Sequence, residues 1–444
     1  MMTTSDVVLV AGEIIVDYTL PYAGTECKLR LGGIAHAARG LWAAGLDYAI
    51  AAFCPQYLRE EAQRYFLAHG CQEVIWLGDV TGAPNIIVIG DPTEVSHQAY
   101  EDLLREQKRI VLEHPAPDLK RYKSIVVFPG AFNVNSLLPI AAPDAKFSFD
   151  IAYGIEAIAS LSAFQGRIKA VIISTSSALF LSLGSVDVSP LITATRQVEP
   201  EVLLLKENRG GSRLFSLQDA SVEQIPASLS KTVNSVGVGD VFTAVMVALS
   251  HKGWVEAAWR GYQAATVYSQ TTYPDDIRRD VQRNFKVSLQ ILRDLGGTVL
   301  SWHDRRQFSI YLAGPDFSYI NKVELDRAVA SLEYHNFKVR RPIPENGELP
   351  RPANDEDLRQ TYDKDYQLLK ECDMVFAVPL ERDPGTLVEI GMAIALGKPV
   401  VTFDPRRENN NTMVMCGSVV YSATLDDCLN GTFNSLAKLS AGLP

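Results

Sequence analysis

Eight short apolar runs separated mostly by helix-like stretches constrain this chain more than any other feature. They read VVLVAGEIIVD, YAIAAF, EVIWLG, NIIVIG, SIVVF, FSFD, AVIIS and EVLLLK, all before residue 210. Runs this short and this continuously apolar suit strands covered on both faces. Helical patterns between them supply the crossovers that parallel strands require. The expectation is an α/β fold with a largely parallel sheet. The same alternation resumes near the C-terminus with IYLAGPDF, CDMVFAVPL and PVVTF. A chain of 444 residues is long for one such core, so two domains are expected. The join falls near LGGTVLSWHDRRQFS, where a Gly-Gly turn and a polar cluster precede the strand at Ile310.

Composition excludes several classes. The net charge is −10, and residues 309–444 carry 20 acidic and 14 basic side chains, so neither part offers a basic nucleic-acid surface. The six cysteines show no CxxC spacing and read as reduced thiols of a cytoplasmic protein. The start, MMTTSDVVLVAG, lacks a basic leader segment, and no run has the ~18 apolar residues of a membrane span.

In the C-terminal part, DPGTLVEIG (Asp383–Gly391) places Glu389 inside a helix that follows a strand and a Gly-Thr turn. Such a turn lies at the carboxyl edge of the sheet, where α/β proteins bind small ligands. A carboxylate there can attack or stabilise an electron-poor carbon, and Glu near a helix start also simply answers the helix dipole. IYLAGPDF, DYQLLKECD and NNNTM accompany it. These four motifs, in this order over about 130 residues, resemble the nucleoside 2-deoxyribosyltransferase family. The resemblance implies a flavodoxin-like, doubly wound α/β domain over 309–444 that cleaves N-glycosidic bonds without a cofactor. It makes Glu389 the nucleophile, Tyr311 the residue that orients it, and Asp365 and Asp383 the acids that hold and protonate the leaving base. It assigns Asn411 to the sugar 5′-hydroxyl, often across a dimer interface, and adds Gly314 and Met413 to the substrate pocket. Two carboxyl groups around an oxocarbenium-like transition state agree with this chemistry. Nucleotide-hydrolysing relatives carry a serine in the turn to hold a phosphate. Here the turn reads Asp383-Pro384-Gly385-Thr386, which favours an unphosphorylated nucleoside, although Thr386 retains one hydroxyl donor. The proline-rich RPIPENGELPRP (Arg341–Pro352) is placed to lie over the pocket.

The N-terminal part has two glycine-rich helix starts. LGGIAHAARGLWAAG brings Gly32 and Gly33 to the first, and TVNSVGVGDVFTAVMVALS brings Gly237-Val238-Gly239 and Asp240 to the second. Glycine amides at a helix N-terminus form an anion hole. An Asp at the same place is unfavourable near phosphate unless it takes a proton from an attacking hydroxyl. Their order and spacing resemble the ribokinase-like PfkB carbohydrate kinase family over roughly residues 5–297. The resemblance implies a domain over 1–298 with a small β lid, acting on ATP and Mg²⁺. It makes Asp240 the base, Gly237, Val238 and Gly239 the anion hole, and Asp17, Gly32 and Gly33 the binders of sugar hydroxyls. Lys206 and Asn208 fall near the ATP phosphates. The usual Asn of the first helix is replaced by His36, either a sugar ligand or a packed histidine. The usual Asp-Thr before the anion hole is Asn234-Ser235, and TSSALFLSL after AVIIS lacks the acid that helps hold Mg²⁺. The metal ligands therefore stay open.

A glycosidic-bond domain beside a sugar or nucleoside kinase points to nucleoside salvage or catabolism, with nucleoside and pentose substrates. Both families commonly dimerise, so a homodimer or larger homo-oligomer is expected. The alternative is a glycosidase that consumes a nucleotide such as NAD, with an inactive kinase-like half used for sensing or dimerisation.

Overall fold

A computed structural model describes residues 7–21, 26–97, 100–349 and 352–443. It divides into two compact units. The first comprises Met1–Thr93, Gln98–Ser228 and Thr232–Gly297; the second comprises Glu94–His97, Leu229–Lys231 and Thr298–Pro444.

All eight apolar runs form strands of the first unit. Its main sheet runs Val222–Ile225, Ser212–Ser216, Val202–Lys206, Ile168–Ser174, Lys146–Ile151, Ser124–Val127, Val8–Thr19, Tyr48–Phe53, Val74–Thr81 and Arg109–Leu112. The seven central strands are parallel, Ser212–Ser216 and Arg109–Leu112 flank them antiparallel, and Val222–Ile225 pairs antiparallel with Ser212–Ser216. Helices Val238–Ala248 and Trp254–Gln270 pack into one apolar layer, and helix Ile34–Ala44 with Gln56–Ala68 contributes to another. The second half of strand Val8–Thr19 leaves this sheet. It pairs with Lys28–Gly33 and Ile86–Ile89, and the latter pairs with Tyr100–Asp102, giving a small β lid beside the sheet.

The second unit is a five-stranded parallel sheet in the order Lys338–Arg340, Ser309–Ala313, Met374–Ala377, Val400–Phe403, Val420–Ser422. Numbered along the chain this is 2-1-3-4-5, the flavodoxin-like order. Val95 from an earlier part of the chain packs in its core with Leu300, Leu325 and Phe433. Of the proline-rich loop, residues 350 and 351 lie outside the described residues.

Candidate active sites

In the second unit the strand order reverses between Ser309–Ala313 and Met374–Ala377, so a crevice opens beyond their carboxyl ends. Tyr311 lies on the first of these strands, fully buried. The second strand runs through a tight turn into helix Pro384–Ala395, with Asp383 as its N-cap. Asp383 Oδ2 accepts from the Thr386 amide at 2.7 Å and from its hydroxyl at 2.8 Å. Thr386 is therefore a buried capping residue, and its hydroxyl is not held out for a phosphate as the sequence allowed. The cap sets the helix start so that Glu389 faces back to the sheet. The Tyr311 hydroxyl donates to Glu389 Oε1 at 2.5 Å.

This half-buried carboxyl has an unusual proton affinity. Burial pushes Glu389 up to about 8; the Tyr311 hydrogen bond opposes, and the charges of Asp365 and Asp383 add to the rise. Burial and the Glu389 charge together drive the Tyr311 hydroxyl far above its ordinary range, so it stays a donor. Asp365, on helix Asp355–Glu371, is raised by burial, against a hydrogen bond from Asn346 Nδ2 at 2.7 Å. Tyr311, Asp365, Asp383 and Glu389 thus form one electrostatic group.

The turn before the cap is strained. Glu381 and Arg382 hold φ of 55° and 53°, a left-handed conformation that costs non-glycine residues about 1–3 kcal/mol each. Glu408 secures it: its Oε2 accepts from the Glu381 amide and its carbonyl from Arg382 Nε, both at 2.6 Å. The buried Asp404 in turn fixes this loop, accepting from the Glu408 and Asn409 amides at 3.1 and 3.0 Å and from the Tyr421 hydroxyl. Asn411 ends the loop as an exposed cap of helix Thr412–Gly417, its side-chain oxygen accepting from the Met413 amide at 2.9 Å. Met413 is 77% exposed. A Cβ on Gly314 would meet Leu325 Cδ1 at 2.6 Å, so this glycine allows close packing at the strand end.

The first unit also places its polar groups where the strand order reverses, between Val8–Thr19 and Ser124–Val127. A cleft there is lined by Glu13, Gly33, Gly130, Asp150, Tyr153 and Asp240. Gly237, at φ 81°, caps helix Val238–Ala248 and leaves first-turn amides without helical acceptors. Asp240 sits in that turn. Burial raises it to about 7, Asp150 adds to the rise, and Lys206 opposes. Lys206 Nζ donates to both Asp150 oxygens at 2.9 and 2.7 Å, so its amine is committed beneath Gly239. Thr243 also donates to Asp150, at 2.5 Å. Asn208 adopts a left-handed conformation in the turn after strand Val202–Lys206.

Asp17 is buried beside Gly32, where a Cβ would lie 1.9 Å from its Oδ1. Burial works against its charge, yet His36, Arg30 and Arg39 hold it below the ordinary carboxylate range. His36 is buried on helix Ile34–Ala44. Its Nδ1 lies 2.8 Å from the Tyr268 hydroxyl and 3.0 Å from Arg39 Nη1. Its Nε2 is 2.9 Å from Asp17 Oδ2, a close contact whose alignment falls short of a hydrogen bond. Burial lowers the ring to about 4, against the pull of Asp17. A Cβ on Gly237 would fall 2.1 Å from the ring, so close packing as well as its positive φ calls for glycine at this helix start. Arg30 joins the two ends of the site: it contacts Asp17 at 3.3 Å and donates to Asn234 Oδ1 and the Val236 carbonyl, both at 3.1 Å.

Glycine amides and a helix N-terminus fit a phosphate group. Among the described residues no three His, Cys, Asp or Glu side chains cluster as a metal site. Asp150, Arg30 and Asn346 were not singled out from the sequence. Asp150 had one signal, an acid ending the apolar run FSFD; the other two had none.

Residues 310–425 match the family model for nucleoside 2-deoxyribosyltransferase. Among solved structures, the chain is similar to the Arabidopsis thaliana ribokinase complexed with ribose and ATP (14% identity, 64% of this chain and 100% of that one, TM-score 0.46). It is also similar to the Burkholderia thailandensis nucleoside kinase in complex with inosine (15%, 64% and 99%, 0.48) and the Methanocaldococcus jannaschii nucleoside kinase (12%, 64% and 100%, 0.44). No curated protein matches the chain. The molecule is a fusion of two α/β units. The family model falls within the second unit, and the similar solved structures cover about 64% of the chain.

Proposed function

We propose that the second unit breaks the N-glycosidic bond of an unphosphorylated nucleoside through a covalent intermediate on Glu389. The observation that carries this reading is the 2.5 Å hydrogen bond from Tyr311 to Glu389 at the strand reversal, with Asp365 and Asp383 around it. Glu389 attacks the anomeric carbon as the carbon–nitrogen bond breaks. The departing base takes the bonding pair, and Asp365, its proton affinity raised by burial, delivers a proton to the base nitrogen. Water or a second base then displaces Glu389, giving hydrolysis or base exchange. Tyr311 favours the ionised nucleophile. Two carboxyls near the turn and a Thr386 hydroxyl already used in capping disfavour a phosphorylated substrate.

We propose further that the first unit transfers a phosphoryl group from ATP to a hydroxyl of a pentose or nucleoside. Asp240 takes the hydroxyl proton as that oxygen attacks phosphorus, and the Gly237–Gly239 amides face the charge on the transferred group. A base near 7 is well matched to neutral conditions. Asp17, Gly32 and Gly33 are the places for the acceptor's hydroxyls. One observation favours a second reading, in which this unit only binds its ligand: the Lys206 amine is already held by Asp150.

Chromatography of base release, with ribo- and deoxynucleosides and NAD as substrates, tests the first proposal. Glu389→Ala should retain less than about a few per cent of base release; greater retention refutes the nucleophile. ATP turnover with pentoses and nucleosides tests the second, and no turnover with any acceptor supports the binding module.

A further inference from the structure

The chain from Arg341 to Glu348 has little intrinsic structure, with prolines at 342 and 344, yet it is fastened at three points. Arg341 grips the buried Asp316 as a fork, with Nε–Oδ2 and Nη2–Oδ1 both at 2.8 Å. Arg340 pairs with Glu345, whose Oε1 also accepts from the Arg341 amide at 3.1 Å. Glu348 accepts from the Ser318 amide at 3.3 Å. These ties seat the five-residue helix Pro342–Asn346, and its last side chain donates to Asp365 Oδ1 at 2.7 Å.

Building on the glycosidic reading of this unit, we propose that Asn346 is the positioning residue of the leaving-group end: its amide fixes the direction of the Asp365 carboxyl and supports its ionised form against burial. The residue type suits the task. Asp365 must accept a proton again after each turnover, which burial makes easy and a salt bridge would prevent. A neutral amide favours the carboxylate without supplying a full positive charge. The other groups facing Asp365 are Glu389 from helix Pro384–Ala395, Tyr311 from strand Ser309–Ala313 and Lys364 on its own helix. The Asn346 hydrogen bond, and after it the Lys364 charge, lower its proton affinity against burial.

Two measurements on the full chain test this. In the first, kcat/KM for base release is followed against pH, and the limb that Asp365→Asn removes is assigned to Asp365. Asn346→Ala should move that limb up by about one to two pH units, as expected on losing a hydrogen bond to a charged group. Asn346→Asp, which brings a like charge, should move it further. A uniform loss at every pH, with the limb in place in both variants, overturns the proposal. The second needs no activity. The loss of melting temperature in Asn346→Ala should grow from about pH 4 to about pH 7 and vanish in an Asp365→Asn background. A loss that ignores pH, or survives in that background, overturns it equally. If the wild type released no base from any nucleoside, the glycosidic reading would fall, and the melting cycle would still decide the role of Asn346.

Discussion

Tyr311→Phe removes one hydroxyl from a fully buried ring and leaves the packing in place. Its hydrogen bond to Glu389 opposes burial and the nearby Asp365 and Asp383, which together hold the carboxyl near 8. A hydrogen bond to a charged group contributes about 1.5–3 kcal/mol, and about 1.36 kcal/mol corresponds to one pKa unit. Losing it should therefore raise Glu389 to roughly 9–10. Only the carboxylate is a nucleophile and Asp365 must keep its proton, so the limb of the base-release profile that belongs to Glu389 should be displaced upward in the variant. At pH 7 a carboxyl near 8 is ionised in roughly one molecule in ten. At 9 or 10 the figure is roughly one in a hundred or one in a thousand. kcat/KM at pH 7 should thus fall about 10–100-fold, and the gap should narrow in alkaline buffer. Base release followed by chromatography across the alkaline limb is the assay. A limb that stays in place while the rate falls equally at all pH values would refute the electrostatic role and leave Tyr311 as a packing residue.

Three other outcomes follow from the same groups. Glu389 has its folded value raised to about 8 from an ordinary 4.5, so the folded state retains a proton that the unfolded chain releases, and stability falls as pH rises between those values. Glu389→Gln should therefore melt higher than wild type at about pH 8, by an effect on the order of a few kcal/mol, and equally at about pH 4. Asp240→Asn should cut any phosphoryl transfer by roughly 10²–10⁴-fold while base release continues, and wild-type transfer should decline below about 7 as Asp240 takes up its proton. Mixing Glu389→Ala with Asn411→Ala should restore up to about a quarter of wild-type base release if the site is shared across a symmetric dimer; silence despite proven subunit exchange removes the shared site.

The strands were legible because burial on both faces leaves an unbroken apolar signature, from YAIAAF at 48–53 to VVTF at 400–403. Glu389 was legible because a strand, a turn and a helix place it locally. What escaped depends on partners brought together only by folding. His36 looks like any polar residue on a small-residue helix, and its contact with Tyr268 comes from helix Trp254–Gln270, more than 200 residues away. Lys206 carries a charge suited to phosphate, and its amine reaches across strand Ile168–Ser174 to Asp150. Thr386 offered a donor, and the Asp three residues earlier claims it. Asn346 lies in a stretch with no periodicity, so nothing in its neighbourhood announces a contact with Asp365.

The two sites solve a common problem in different ways. Each proposed reaction needs a carboxyl that is basic at neutral pH, and burial with neighbouring carboxylates raises both Asp240 and Glu389. In the first unit, Lys206 and Thr243 hold Asp150, so the neighbour's charge is partly offset and Asp240 stays near 7, where proton transfer in both directions is easy. In the second unit, among the described residues, no amine is bonded to Asp365 or Asp383 as Lys206 is to Asp150, and Glu389 rises to about 8. That state is costly for a free carboxylate, but the cost is relieved as the anomeric carbon becomes positive. An ion that is poorly solvated in the empty pocket gains most from the charge that appears only as the glycosidic bond breaks. Tyr311 completes the arrangement as a donor that does not itself lose its proton, limiting the penalty of the ionised state without adding a cation that would compete with the reacting carbon.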